Sequence, residues 1–207
     1  MSTKILVATT NPGKIAELKA MLDIDVELVG LADFEGIDRI VEDGSTFAEN
    51  ARKKAIGYAK ASGLWTIADD SGLVIDALDG DPGVKSARFS GAKDEDRTLL
   101  DHKNMAKVLK LLENFPAEKR TARFVCCLCL ASPEKILAET EGTLEGIIAE
   151  QEVGENGFGY DPIFFLPKLN KTVAQLTRQE KNAISHRGNA IRKLKPLLTQ
   201  FLEIRNG

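Results

Sequence analysis

Apolar and polar positions at the start of the chain follow first a strand pattern and then a helix pattern. Residues 4–10 form a largely apolar run that predicts a strand, and Ile15, Leu18 and Leu22 recur at the spacing of one helix face. Residues 26–31 predict a second strand. Strands and helices that follow one another in this way indicate an α/β protein.

The next segments predict a second helix and two short strands. The residues Thr46-Phe47-Ala48-Glu49 match a capping box, and the helix that they begin is ended by Gly63. Apolar runs at 64–68 and 73–77 predict strands. Residues 69–72, Asp-Asp-Ser-Gly, lie between these runs and are interpreted as a loop at a strand end.

The second half of the chain predicts further helices and strands without strict alternation. A helix is expected over about 94–114, a strand buried on both faces over 123–130, and an extended segment over 136–145. The last helix begins near His186, and Pro196 is expected to kink or break it. The long adjacent strands favour a mixed sheet over an all-parallel one.

Length and composition restrict the class of protein. The 207 residues contain no linker rich in Pro, Gly or Ser, so we predict a single domain over residues 1–207. The formal net charge of −3 offers no basic excess for coating nucleic acid. Because the chain shows neither a signal peptide nor an apolar run of membrane-spanning length, we expect a cytoplasmic protein without a membrane partner.

The three cysteines contain a C-x-x-C pattern, which could bind zinc or carry thiol redox chemistry. They lie in the predicted buried strand as Cys126, Cys127 and Cys129. On a strand, Cys126 and Cys129 point to opposite faces, which suits neither a chelate nor a disulfide. We therefore expect buried, reduced thiols.

A hexapeptide between the first predicted strand and helix has features of an anion site. Its residues are Thr9, Thr10, Asn11, Pro12, Gly13 and Lys14. Asn11 is a favourable N-cap, Pro12 suits the first helical position, and Gly13 lets a ligand approach free backbone N–H groups. The spacing matches neither a Walker P-loop nor a dinucleotide fingerprint. An anion site and a plain helix cap therefore remain alternatives.

Asp69 and Asp70 place two carboxylates side by side at a predicted strand end. Mg²⁺ takes hard oxygen ligands and commonly joins one or two carboxylates to substrate phosphates. Glu42 and Glu49, near the start of the second predicted helix, could complete such a site. The alternative is ordinary turn chemistry, because Asp, Ser and Gly are all favoured in turns.

Residues 154–161, Gly-Glu-Asn-Gly-Phe-Gly-Tyr-Asp, form a glycine-rich segment before an apolar strand. Phe158 lies between two glycines, so its ring could stack on a nucleobase. Asp161 could accept a hydrogen bond from a base N–H. The alternative is a hairpin loop whose aromatic rings fold onto the core.

The last predicted helix opens with Ser185-His186-Arg187-Gly188. His186 and Arg187 can donate hydrogen bonds to a carbonyl or phosphate oxygen, and Lys181 adds a nearby cation. A solvated helix cap is the alternative, and His102 is expected at the surface. Together with the anion, acidic and aromatic segments, this group indicates a nucleoside triphosphate as ligand.

Six motifs occur in order along nearly the whole chain. They are ATTNPGK, EDGSTFAENARKKA, IADDSGLVIDAL, PGVKSARFSG, GFGYDPIF and ISHRGNAI. Together they closely resemble the inosine triphosphate pyrophosphatase family, enzymes that hydrolyse nonstandard purine nucleoside triphosphates. The resemblance implies an α/β fold with a mixed elongated sheet, flanking helices and two lobes around a substrate cleft, assembled as a homodimer. It also implies Mg²⁺-dependent cleavage of ITP, dITP and XTP between the α and β phosphates.

The resemblance also implies a role for each matching residue. Residues 9–14 and Lys54 would bind the triphosphate, and Glu42 and Asp70 would bind the metal, with Asp69 as an additional candidate ligand. Asp70 is the implied general base, with a role as metal ligand only as the alternative, and Ser71 beside it would contact the substrate. The implied base pocket consists of Phe158, Gly159, Tyr160, Asp161, Lys181, His186 and Arg187.

The chemistry of the base agrees with these roles. A purine 6-oxo group accepts hydrogen bonds from His186 and Arg187, whereas the 6-amino group of adenine would leave buried donors unpaired. Guanine shares the 6-oxo group, so its rejection must depend on its 2-amino group.

Three other functions are weighed against this one. A related pyrophosphatase with a pyrimidine or modified-base preference is disfavoured by the Ser185-His186-Arg187 segment. A nucleotide-binding protein without turnover is disfavoured because the acidic and lysine residues of the site are all present. Single-stranded nucleic-acid binding through Phe158 and Tyr160 would need an extended basic groove, which the charge pattern does not provide.

Overall fold

The computed structural model describes residues 3–34, 36–93 and 96–206. Within these residues the strands are β1 (Thr3–Val7), β2 (Val26–Gly30), β3 (Trp65–Ile75), β4 (Thr121–Ala131), β5 (Ile136–Ile148), β6 (Phe164–Leu166) and β7 (Lys171–Thr172). The α-helices are α1 (Pro12–Leu22), α2 (Phe47–Ser62), α3 (Arg97–Leu111), α4 (Arg178–Ile184) and α5 (His186–Asn206). Short 3₁₀ helices connect several of them.

The strands form one mixed, open sheet in the order β2-β1-β3-β4-β5-β6-β7. β1 pairs in parallel with β2 and with β3, whereas β6 pairs antiparallel with β5 and with β7. The prediction of a mixed α/β sheet with flanking helices is therefore confirmed.

The chain divides into two compact units. Unit 1 contains the described residues of Met1–Asp70, Cys126–Gly142 and His186–Gly207, and unit 2 contains those of Ser71–Val125 and Thr143–Ser185. β3, β4 and β5 each contribute residues to both units.

Each unit has its own apolar core. In unit 1, α1 and α5 pack on the sheet, and the core includes Ile5, Val7, Leu18, Leu22, Ile67, Leu128, Ile191 and Leu194. In unit 2, α3 packs on the sheet, and the core includes Leu73, Ile75, Met105, Val108, Phe124, Tyr160, Ile163 and Phe164. The helix positions in both lists recur at the spacing of one helix face.

Most of the predicted elements are confirmed with small shifts at their ends. β1 ends at Val7, before the predicted limit, because the following residues begin the cap of α1. The predicted buried strand corresponds to β4, where Cys126, Cys127 and Cys129 are buried and free. The expectation of buried, unpaired thiols is therefore confirmed.

The predicted loop at residues 69–72 is wrong. β3 runs without interruption through Asp69, Asp70, Ser71 and Gly72. Both carboxylates are buried and have cationic partners from other elements, and these contacts outweigh the turn preference of the local sequence. The two aspartates therefore lie within a strand, and as consecutive strand residues they point to opposite faces.

Three further expectations are refined. The helix expected over about 94–114 is α3, which begins at Arg97 with Asp96 as its N-cap; residues 94 and 95 lie outside the described residues. α5 continues through Pro196, so the predicted break is absent. Residues 154–161 lead into a 3₁₀ helix, Asp161–Ile163, and lie in the long connection between the antiparallel strands β5 and β6, with Tyr160 buried in the core as the hairpin-loop alternative expects.

Across the ranges 3–34, 36–93 and 96–206, every helix is too short or too polar to cross a membrane.

Candidate functional site

The segment at the start of α1 forms a side-chain cap. Asn11 is the N-cap, and its Oδ1 accepts hydrogen bonds from Gly13 N at 2.9 Å and Lys14 N at 3.3 Å. Thr9 Oγ1 in turn accepts a hydrogen bond from Asn11 N at 3.1 Å. These contacts fix the first turn of α1 and direct Lys14 toward the sheet.

Asp69 lies at the centre of a buried charge network in unit 1. Its Oδ1 forms an ion pair with Lys14, and its Oδ2 lies 2.9 Å from Arg187 Nε. The Cys126 thiol donates to the same Oδ2 at 3.1 Å. Arg187 is also paired through Nη1 with Glu17. All of these side chains are largely or fully buried, so each charge depends on the others.

The network fixes the ionisation of its members. Burial opposes charge on Asp69, but Arg187 and Lys14 outweigh it and hold the pKa of Asp69 well below its usual range. Burial likewise opposes charge on Arg187, and Asp69 outweighs it, so the pKa of Arg187 is raised. Burial, reinforced by Asp69, raises the pKa of the Cys126 thiol far above its usual value. Asp69 and Arg187 are therefore a charged pair, and Cys126 is a neutral donor.

Asp70, on the other face of β3, belongs to a second charge cluster in unit 1. Lys54 Nζ lies 3.6 Å from Asp70 Oδ1 and 2.8 Å from Glu42 Oε2, so two carboxylates converge on one ammonium group. Lys54 also donates to the Asp69 carbonyl at 2.7 Å. Burial raises the pKa of Asp70 against the opposing charges of Lys54 and Lys14. Desolvation would lower the pKa of Lys54, yet Asp70 and Glu42 raise it.

Asn50 on α2 connects this cluster to the loop before the helix. Its Nδ2 donates to Asp70 Oδ2 at 3.0 Å, and its Oδ1 accepts from Gly44 N at 2.7 Å. The Glu49 carboxylate instead accepts hydrogen bonds from the backbone N–H and hydroxyl of Ser45, the residue before the N-cap of α2. Thr46 accepts from Glu49 N as predicted, but the reciprocal bond of the capping box goes to Ser45.

In unit 2 the glycine-rich segment organises an aromatic ring and a lysine. Asp161 Oδ2 accepts from Phe158 N at 2.9 Å and from Lys181 Nζ at 2.7 Å. Lys181 Nζ lies 4.4 Å from the centroid of the Phe158 ring, a cation–π contact. Asp161 is only 3% exposed, so its carboxylate binds these two groups inside the protein.

The remaining predicted residues lie in different surroundings. Tyr160 is buried in the unit 2 core, where its hydroxyl donates to the Ser86 carbonyl at 2.8 Å. Burial raises its pKa. His186 is buried at the first position of α5 in unit 1, and Ser71 is a half-buried residue of β3 in unit 2.

Three residues of these clusters were missed by sequence reasoning. Asn50 is 1% exposed and follows the apolar helix spacing of α2, so a buried polar residue could have been identified there. Glu17 lies three residues after Lys14, a spacing that places both on one side of α1, but nothing in the sequence indicates its burial. Asp101 on α3 accepts a hydrogen bond from Gly159 N, a long-range contact without a local signal.

Carboxylate side chains are the candidate metal ligands of these clusters. Within the described ranges, no group of three or more His, Cys, Asp or Glu side chains is arranged to hold a metal ion. The convergence of Glu42 and Asp70 on Lys54 is a two-carboxylate arrangement, which suits an ion that draws its other ligands from water and phosphate. Asp69 fits such a site less well, because both of its oxygens are bound by buried cations.

Comparison with known proteins gives consistent matches over nearly the whole chain. The model of the Ham1 family matches residues 5–197. A dITP/XTP pyrophosphatase of Exiguobacterium sibiricum is 50% identical over 200 residues, covering 96% of this chain and 98% of the relative. One from Listeria monocytogenes is 48% identical over 202 residues, covering 97% of each chain.

Solved structures agree with the sequence matches. A Ham1 protein from Coxiella burnetii superposes with a TM-score of 0.85 at 41% identity, covering 96% of this chain and 99% of that one. The Staphylococcus aureus Ham1 protein gives a TM-score of 0.84, also at 41% identity, with the same coverage. The names of the relatives confirm the resemblance to inosine triphosphate pyrophosphatases. This chain belongs to the Ham1 family.

Proposed function

We propose that this chain hydrolyses the nonstandard purine nucleoside triphosphates ITP, dITP and XTP to the nucleoside monophosphate and pyrophosphate. Relatives of nearly equal length carry the name dITP/XTP pyrophosphatase, which supports this substrate class. The observation that carries the proposal is the convergence of Glu42, Asp70 and Lys54 in unit 1. The two carboxylates could bind a metal ion and the attacking water, and the ammonium group could bind a phosphate.

The triphosphate would be bound by the start of α1 and by two lysines. Lys14 and Lys54 are the cations, and the helix dipole adds positive potential at the N-terminus of α1, where Asn11 Oδ1 already accepts from Gly13 N and Lys14 N. The Asp69 carboxylate fixes Lys14, and the Asp69 carbonyl fixes Lys54. This arrangement supports the assignment of residues 9–14 and Lys54 to substrate phosphates.

Glu42 and Asp70 would hold Mg²⁺, because both present hard oxygen ligands beside the same ammonium group, Lys54 Nζ. When bound, the ion would neutralise charge that develops on the leaving pyrophosphate. Asp69 is the weaker candidate ligand, since Lys14 and Arg187 bind its two oxygens.

Asp70 would act as the general base. Its buried carboxylate is oriented by Asn50, and burial raises its pKa, which strengthens it as a proton acceptor relative to an exposed aspartate. In the proposed step, Asp70 takes a proton from water while the water oxygen bonds to the α phosphorus. The bond from the α phosphorus to the bridging oxygen breaks, and pyrophosphate leaves with the electron pair.

The residues that the family resemblance assigns to base recognition lie in the glycine-rich segment and, separately, at the start of α5. The Phe158 ring would stack on the purine, with Gly159, Asp161 and Lys181 beside it. Tyr160 is assigned to the same pocket by the family resemblance alone, because it is buried in the unit 2 core. His186 and Arg187 would donate to the 6-oxo group, and Ser71 would contact the substrate beside Asp70. Glu17 and Asp69 already bind the Arg187 guanidinium in the interior of unit 1, so the recognition role of Arg187 rests on the family resemblance alone.

We also infer a homodimer on the family resemblance alone, and the cytoplasmic location stays a prediction from the sequence. The mass of the purified protein in solution tests the assembly: a particle of one 22.6 kDa chain would contradict it.

The function is tested by measuring pyrophosphate release from ITP, XTP, GTP, ATP and dTTP, each with Mg²⁺ and with a chelator. Rapid release from ITP and XTP that the chelator abolishes is the expected result. Equal release from every triphosphate would refute the base-recognition roles and leave the cleavage chemistry standing. No release from any of them would favour a nucleotide-binding protein without turnover. Asp70→Asn is the matched negative control.

A further inference from the structure

The glycine-rich segment of unit 2 has a backbone that must be fixed from outside. Gly157 and Gly159 have φ values of +84° and +66°, in the left-handed region that favours glycine. Glycine has the largest backbone freedom to lose on folding. A ring such as Phe158, placed between these two residues, keeps a defined position only if neighbouring backbone groups are bound.

Asp101 supplies one such contact from α3. Its Oδ2 accepts a hydrogen bond from Gly159 N at 2.7 Å, and the residue is only 7% exposed. Arg97, one turn earlier, places Nε 3.1 Å from Oδ1, a charge contact without aligned hydrogen-bond geometry. A buried carboxylate on the core-facing side of a helix requires polar partners, and the Gly159 amide is one of them.

The neighbouring contacts show what Asp101 adds. Phe158 N donates to Asp161, which also binds Lys181, so these bonds organise the segment internally. Asp101 instead ties the next amide, Gly159 N, to a helix of the unit 2 core. Two consecutive amides are therefore held by two different carboxylates, one within the segment and one outside it.

We propose that Asp101 is a positioning residue for purine recognition: by binding the Gly159 amide it holds the Phe158 ring and the Lys181 ammonium where a base can stack. The proposal rests on the base-binding role proposed above for Phe158. Asp101 itself does not contact the base. Its loss weakens the binding of the purine and leaves the phosphate interactions intact.

The test compares a nucleotide with a ligand that lacks a base. The KM for ITP and the inhibition constant of inorganic tripolyphosphate are measured for the wild type, Asp101→Ala and Asp101→Asn. Asp101→Ala is expected to raise the KM for ITP about tenfold, because it removes one charge-assisted hydrogen bond. The inhibition constant of tripolyphosphate should change less than about twofold. Asp101→Asn retains an oxygen that accepts from Gly159 N, so it restores most of the affinity for ITP.

Asn104→Ala is the matched control. Asn104 is also buried on α3, but it binds the backbone at Ala87 and Ser90 and not the glycine-rich segment. Asn104→Ala should leave the ratio of the KM for ITP to the inhibition constant of tripolyphosphate unchanged. If Asp101→Ala changes both constants equally, changes neither, or behaves as Asn104→Ala does, the proposal is overturned. If Asp101→Ala does not fold, Asp101→Ser, too short to reach Gly159, takes its place.

Hydrogen exchange of the nucleotide-free protein separates this proposal from the proposed function. Exchange at residues 158–159 should accelerate about tenfold or more in Asp101→Ala and change little in Asn104→Ala. Unchanged exchange in Asp101→Ala overturns the anchoring role, whatever the enzyme hydrolyses. If the wild type does not hydrolyse ITP but exchange accelerates as expected, the proposed function fails and the anchor stands. In that case the role of Asp101 in purine recognition is overturned together with the proposed hydrolysis of ITP.

Discussion

Arg187 and Asp69 form an ion pair with Nε 2.9 Å from Oδ2 inside unit 1, where both side chains are almost inaccessible to solvent. The pair joins the first turn of α5 to the middle of β3. A buried pair of this kind contributes less than its Coulomb energy, because both charges are desolvated, but breaking it is costly.

Asp69→Asn should lower the free energy of unfolding by about 3 to 5 kcal/mol, because it removes the shared counter-charge of Lys14 and Arg187. Urea denaturation measures this change. Asp76→Asn, which breaks a partly exposed pair with Arg123, is the control and should cost less than about 1 kcal/mol. Equal losses in the two variants would contradict the central role of Asp69.

The difference between the wild type and Asp69→Asn should also depend on pH. The folded state lowers the pKa of Asp69 below its ordinary value of 3.8, so the stabilisation is complete above that pH. It should decrease as the pH falls below about 3.8 and vanish once the pH passes the lowered pKa of the folded state. A difference that grows on acidification would show that the pKa is shifted in the opposite direction.

Asp70→Asn should reduce kcat for ITP by about 10² to 10⁴-fold with little change in folding, because the amide cannot take a proton from water. Its side chain can still pair with Asn50, so thermal unfolding should stay close to that of the wild type. Steady-state kinetics and a melting curve measure the two effects. Near wild-type turnover in a folded variant would rule out Asp70 as the base.

The three thiols should react slowly in the native protein. Burial raises the pKa of Cys127 and of Cys129 to about 12 and that of Cys126 well above its usual value, so little thiolate exists near neutral pH. Titration with a chromogenic disulfide should detect almost no thiol in the native state and three after unfolding. Rapid reaction of one native thiol would contradict the burial of β4.

Gly142→Ala should destabilise unit 1 by about 1 to 3 kcal/mol or more, because the added Cβ would lie 2.2 Å from the His186 carbonyl oxygen and 2.5 Å from Ala190 N. Backbone atoms of α5 would have to move, and His186 and Arg187 with them. Gly30→Ala is the control, since its Cβ would meet nothing closer than 3.8 Å. Denaturation of both variants and the KM for ITP measure the effect; equal stability of the two would contradict the close approach.

Local chemistry explains why much of the fold could be predicted. Asn11 and Thr46 cap their helices as their residue types suggest, and the spacing of Ile15, Leu18 and Leu22 identifies the buried side of α1. These features depend on residues within a few positions of one another. Helix-capping preferences and hydrophobic periodicity predict structure reliably over such short separations in sequence.

The remaining features of the fold and of the candidate site depend on contacts between residues that are far apart in the sequence. Asp-Asp-Ser-Gly is typical of a turn, yet Lys14, 55 residues before Asp69, and Arg187, 118 residues after it, hold it in a strand. The same holds for Asp101 and Gly159, separated by 58 residues. No local pattern encodes such pairs, so they emerge only when the elements are packed together.

The uninterrupted course of β3 has an evolutionary consequence. Asp69 and Asp70 have different partners because consecutive residues of a strand point to opposite faces of the sheet. Adding or deleting one residue earlier in β3 would therefore exchange the faces to which the two side chains point. The carboxylate that neutralises buried cations would then face Lys54, and the proposed base would face Arg187. Selection on this protein is therefore expected to act against any change of one residue in the length of this strand.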